Sequence, residues 1–192
     1  MPTTRLEAFS DGVLAIIITI MVLELKVPHS ADLDTLRPLL PAFLSYVLSF
    51  VYLGIYWNNH HHMMHAVKRV TGGVLWANLH LLFWLSLLPF VTGWMGENHF
   101  GQWPSVLYGF VLLMNAVAYT ILTWTIIREE GTDSLLHKAV GNDFKGNLSL
   151  ALYIVALPLP FFVPWAAQVI FVVVALIWLV PDRRIERVLP GK

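Results

Sequence analysis

The 192 residues include no cysteine, which excludes disulfides, thiolate metal sites and a cysteine nucleophile while leaving the redox compartment open. Charge is also scarce. Asp, Glu, Lys and Arg make up 12% of the chain, where a soluble domain carries about 25%. The formal net charge is zero, so no basic field exists to release phosphate counterions, and no nucleic-acid partner is expected. There is no Gly-Tyr-Gly filter loop, no phosphate-binding glycine loop, no Gly-x-Ser-x-Gly and no arginine-rich voltage-sensing helix. Nothing displays an enzyme's nucleophile and base, and the chain is expected not to be an enzyme. Internal duplication, heptad runs and low-complexity tracts are missing too. At the N-terminus, Glu7 and Asp11 stand where a signal peptide would be basic, and no small-residue cleavage site follows, so the first apolar segment is expected to be retained.

Hydrophobic residues fill what is left. They make up 57% of the chain and the mean hydropathy is +0.68, which reads as an integral membrane protein. Scanning for apolar stretches of about 20 residues gives six: Leu6 to Leu25, Pro38 to Val67, Gly72 to Met95, Trp103 to Ile127, Gly146 to Phe162 and Pro164 to Val180. The expected fold is all-α, one six-helix transmembrane domain over residues 1–192. The second stretch is long enough to tilt or to project a polar end from the bilayer. Pro158, Pro160 and Pro164 stop the fifth helix and start the sixth, predicting a tight hairpin.

Of the twelve Lys and Arg residues, ten (Arg5, Lys68, Arg69, Arg128, Lys138, Lys145, Arg183, Arg184, Arg187 and Lys192) fall on the N-terminal side of the expected bilayer. Lys26 and Arg37 fall on the other. Positive-inside bias then predicts both termini in the cytoplasm. Residues 128–145 form the one substantial cytoplasmic loop, expected to be partly helical and solvated. The eight tryptophans lie mostly near span ends and read first as an interfacial belt.

The most informative segment opens the first helix, where Arg5, Glu7, Ser10 and Asp11 crowd one end of an apolar span. Lipid penalises such groups, so they are expected to face protein or water. Further along, Ile16, Ile20 and Leu23 share one helix face, with Thr19 beside them. Lipid-facing, packing and pore-lining surfaces are equally apolar; a face that starts polar and turns apolar suits a watery mouth leading to a hydrophobic constriction.

The second helix ends in His60, His61, His62 and His65. His61 and His65 have the i, i+4 spacing at which two imidazoles can meet one ion, with a third ligand required from elsewhere. A structural polar network and a pH sensor are the other readings. In the third helix Pro89 predicts a kink, and Asn78 and His80 can bond across to neighbouring helices.

The string Arg5-x-x-x-Phe9-Ser10-Asp11-Gly12-Val13-x-Ala15-Ile16 resembles the signature of the transmembrane protein 175 family of potassium channels. Trp57-x-x-His60-His61 and Asn78 with Leu88-Pro89-Phe90 reinforce it, so the resemblance spans essentially the whole chain. One six-helix repeat is similar to the prokaryotic form of that family. The resemblance implies a homotetramer in a bacterial inner membrane, passing potassium and other monovalent cations with no cofactor. Carried onto this chain, it implies a constriction at Ile16, Ile20 and Leu23 and a polar ring at Thr19. It also implies a network of Arg5, Phe9, Ser10, Asp11 and Asn78 seating the pore helix, with His60 or His61 as partner of Asp11. A proton-coupled carrier or proton pathway through Asp11 and the histidines, and a haem-binding redox protein with paired axial histidines, are the competing readings.

Overall fold

The computed structural model describes residues 2–131, 134, 136–137, 141 and 143–179. Lys138, Arg183, Arg184, Arg187, Lys192, most of the loop after Gly131 and the end of the sixth span at Val180 lie outside the described residues. The described elements are helices: α1 (Thr3–Leu23), α2 (Leu40–His65), α3 (Gly72–Ser86), α4 (Leu88–Glu97), α5 (Gln102–Glu130), α6 (Phe144–Ala156) and α7 (Ala166–Leu179), with 3-10 turns at Leu33–Leu39 and Leu159–Phe161. Five helical stretches are long and apolar enough to cross a membrane: α1, Leu33–His65, Gly72–Glu97, α5 and Phe144–Phe161. The described part of α7 is a shorter apolar helix. The six expected spans are all present as helices.

At 1.5 Å per residue, the 21 residues of α1 cover about 31 Å, close to the hydrocarbon thickness of about 30 Å. The 26 residues of α2 and 29 of α5 reach about 39 and 43 Å, and so extend beyond it. The third span is interrupted where the kink is expected. Pro89 has no N–H to give to the carbonyl four residues back, and the helical ladder is interrupted at Leu87, whose N–H bonds the Trp84 carbonyl, before α4 begins. The prolines between α6 and α7 act as expected, Phe162 and Val163 both bonding the Leu159 carbonyl in a tight turn.

Packing divides the bundle. The pore-candidate helix α1 lies against α2, α3 and α4, while α5, α6 and α7 pack together on the far side of α2 and α3. Tyr52 on α2 donates to the Phe171 carbonyl on α7 at 2.6 Å and accepts from Tyr153 on α6 at 3.1 Å. Ser49 bonds both Thr92 and Tyr108, at 2.7 and 2.9 Å. The crossing of α2 and α4 is so close that a Cβ on Gly96 would lie 2.5 Å from the Ala42 Cα. Because that obstacle is backbone, Gly96→Ala must separate the helices. A loss of about 1–3 kcal/mol is expected, readable as a lower unfolding midpoint in detergent.

Three of the eight tryptophans depart from a purely interfacial role. Trp57, Trp84 and Trp178 donate to Asp11, His80 and Ser149 respectively, at 2.9–3.0 Å. Each indole therefore ties one helix turn or one helix pair, Trp57 doing so from an exposed position.

Candidate functional site

The buried face of α1 is Leu6, Ser10, Leu14, Ile17 and Met21, spaced by four, four, three and four residues as one side of a helix must be. Its opposite side is bare in the single chain. Arg5 and Thr19 are exposed, as are Phe9 (52%), Ile16 (60%), Ile20 (43%) and Leu23 (76%). All four residues expected at a constriction therefore lie on one outward face, with Arg5 and Phe9 continuing it toward the N-terminus. Thr19 donates its hydroxyl hydrogen to its own helix, at the Ala15 carbonyl (2.8 Å). Its oxygen lone pairs remain on the outward side.

The remaining polar residues hold α1 in place through two sets of contacts. In the first, Ser10 donates to Leu6 O at 2.9 Å and accepts from Asn78 Nδ2 at 3.0 Å, while Asn78 Oδ1 meets His60 Nε2 at 2.7 Å. Ser10, Asn78 and His60 are all essentially inaccessible, so one three-residue chain of hydrogen bonds joins α1, α3 and α2. Among the described residues His60 Nδ1 is buried with no partner, and Asn78 is the only side chain bonded to that ring.

In the second set, His61 Nδ1 lies 2.7 Å from Glu7 Oε1, and Trp57 Nε1 donates to Asp11 Oδ1 at 3.0 Å. Neither His60 nor His61 reaches Asp11, unlike the expected pairing. The reason is register. Glu7 and Asp11 are one turn apart on α1, His61 and Trp57 one turn apart on α2, and the two antiparallel helices pair them in opposite order. Glu7 and Trp57 were not among the residues expected in this network; the i, i+4 relation of Glu7 to Asp11 was the available signal. Arg5 has no ion-pair partner among the described residues, and His80 bonds only within α3, to Trp84.

At the other end, Lys26 pairs with Glu97 at 2.7 Å, tying the segment after α1 to the end of α4. The hydrogen bond and charge of Glu97 raise the Lys26 ammonium above its ordinary range, so it stays protonated at neutral pH.

Six apolar spans, with a polar anchor beneath one helix whose outer face is left bare, describe an integral membrane protein, and its relatives are ion channels. The chain belongs to the TMEM175 family. The family model described as the endosomal/lysosomal potassium channel TMEM175 matches residues 5–89. A potassium channel of Chryseobacterium sp. (strain P1-3) is 57% identical over 187 residues, 97% of each chain. The endosomal/lysosomal proton channel TMEM175 of Homo sapiens is 28% identical over 152 residues, 70% of this chain and 28% of that one. The crystal structure of a lysosomal potassium-selective channel TMEM175 homolog from Chamaesiphon minutus superimposes with a TM-score of 0.82 at 28% identity, covering 94% of this chain and 97% of that chain. The family is one of ion channels and not of enzymes.

Proposed function

We propose that the protein is a potassium-preferring cation channel in which four copies surround a pathway lined by α1. The observation that carries this reading is the division of α1 into a buried face and an exposed stripe from Arg5 to Leu23, since one chain alone cannot enclose a pathway along that stripe. The names of the bacterial relatives add support for potassium as the permeant ion. Residues 1–192 act as a single channel domain, with no cofactor required. Ile16, Ile20 and Leu23 form apolar rings that exclude water when the path is narrow, and the Thr19 oxygens supply the one polar ring among them. The Ser10–Asn78–His60 and Asp11–Trp57 contacts seat the helix. Arg5, Lys68, Arg69, Arg128 and Lys145 belong to the end of the bundle that also holds the start of α1, which supports a cytoplasmic N-terminus in a bacterial plasma membrane.

The first test is assembly and flux together. Mass measurement of solubilised protein is expected to give four copies of the 21.8 kDa chain, and liposomes holding it are expected to pass potassium faster than sodium with no pH gradient. A conducting monomer or dimer overturns the architecture. A second reading, proton conduction, is favoured by the hydrogen-bonded run Glu7–His61–His65 and by the name of the Homo sapiens relative. It predicts acidification of the liposome lumen under a proton gradient without potassium.

A further inference from the structure

We propose that Glu7, His61 and His65 form a binding site for a divalent transition-metal cation of the zinc class, at the end of the bundle where α1 begins. One ligand atom from each of these residues lies within 4.8 Å of the other two. His61 and His65 stand one turn apart on α2, and their Nε2 atoms are 3.1 Å apart with the rings crossed at 86°. Two imidazoles on a tetrahedral zinc ion, each at about 2.0–2.1 Å, have nitrogens about 3.3 Å apart. The nitrogen separation is therefore close to that of two imidazoles on one zinc ion, and binding needs the rings to splay so that both nitrogens face the ion.

Glu7 supplies the third element. Its carboxylate, 2.7 Å from His61 Nδ1, holds the ring hydrogen on that nitrogen and leaves the Nε2 lone pair directed toward His65. A carboxylate behind a histidine in this way fixes the tautomer and raises the basicity of the ligating nitrogen. Without metal, His65 Nε2–H donates to His61 Nε2. Binding needs His65 to carry its hydrogen on Nδ1 instead, an exchange available through water because His65 is exposed. Water completes the coordination on that exposed side. Imidazole nitrogens select zinc, copper or nickel over magnesium and calcium, which require oxygen ligands. Since Glu7 lies on α1 and both histidines on α2, occupancy of the histidine pair strengthens the carboxylate–imidazole bond that joins the two helices. The site does not depend on what the protein conducts.

Zinc chloride titrated by calorimetry into the full-length, tag-free, chelator-treated protein is expected to bind saturably, one ion per chain, and to raise the unfolding midpoint by mass action. Magnesium is expected to do neither. His65→Ala, a change at an exposed position, is expected to weaken zinc binding by more than about tenfold and to remove the midpoint shift. Glu7→Gln is expected to weaken it by roughly 10–100-fold. His29→Ala, in the segment beyond the opposite end of α1, is expected to change nothing. Absence of saturable binding, or an unchanged affinity in His65→Ala, overturns the proposal.

Discussion

Replacing Ile20 by Asn is expected to raise cation flux several-fold and to move the reversal potential under opposed potassium and sodium gradients toward zero. Ile16→Asn should act in the same direction. Both side chains are exposed on the bare face of α1, at 43% and 60%, and in a fourfold assembly each residue recurs four times around the axis. An apolar ring closes a narrow path because water leaves it; four amides there restore hydration, and ions keep more of their shell. Partial dehydration is also what separates potassium from sodium at such a ring, so selectivity falls as conductance rises. If this face met lipid instead, an amide in hydrocarbon would lack partners and the variants would insert or fold poorly. Well-folded variants with wild-type flux and reversal potential would remove Ile16 and Ile20 from the pathway.

The second large effect is expected at Asn78. Asn78→Ala removes the shared partner of Ser10 and His60, stranding the buried His60 ring and leaving Ser10 only its bond to the Leu6 carbonyl. Interhelical hydrogen bonds within membranes are modest singly, on the order of 0.6–1.7 kcal/mol, but a stranded buried group costs about 1–3 kcal/mol. A loss of roughly 2–4 kcal/mol is therefore expected for the pair. The His60→Ala and Asn78→Ala changes should be far from additive, because each removes the same bond. Equilibrium unfolding in mixed detergent gives the numbers, and additive effects would mean that the Ser10–Asn78–His60 chain does not act as a unit.

The architecture was readable because hydropathy is a property of single segments. Six apolar runs give six spans, and Pro89 marks the interruption at Leu87 since a missing N–H acts wherever it falls. The division of α1 into two faces was half visible: Ile16, Ile20 and Leu23 share a side by period alone, but in an apolar helix the period does not say which side meets protein. The anchor was least visible. Whether Asp11 meets His60, His61 or Trp57 depends on the register of α1 against α2, fixed by packing along both helices and not by either sequence. Ser10 meets Asn78, 68 positions along the chain, a contact that exists only once α3 has returned beside α1. Glu7, which the apolar run around it makes look like a misplaced charge, becomes the partner of His61 for the same reason.

The shortness of the apolar stretch on the bare face of α1 bears on where the membrane voltage falls. In the proposed pore, water enters from the Arg5 end and from the end near Glu24, and both mouths are electrically short-circuited by it. The resistive part is then the apolar stretch from Ile16 to Leu23, about 10 Å along the helix axis, against a hydrocarbon thickness of about 30 Å. A potential of 100 mV, worth about 2.3 kcal/mol to a monovalent ion, is thereby compressed into two turns of helix. A cationic blocker lodged at the level of Arg5 or Phe9 would feel almost none of that field, and its block would be nearly independent of voltage. One that reached Thr19 would stand within the steepest part of the drop, and its residence there would change sharply with membrane potential.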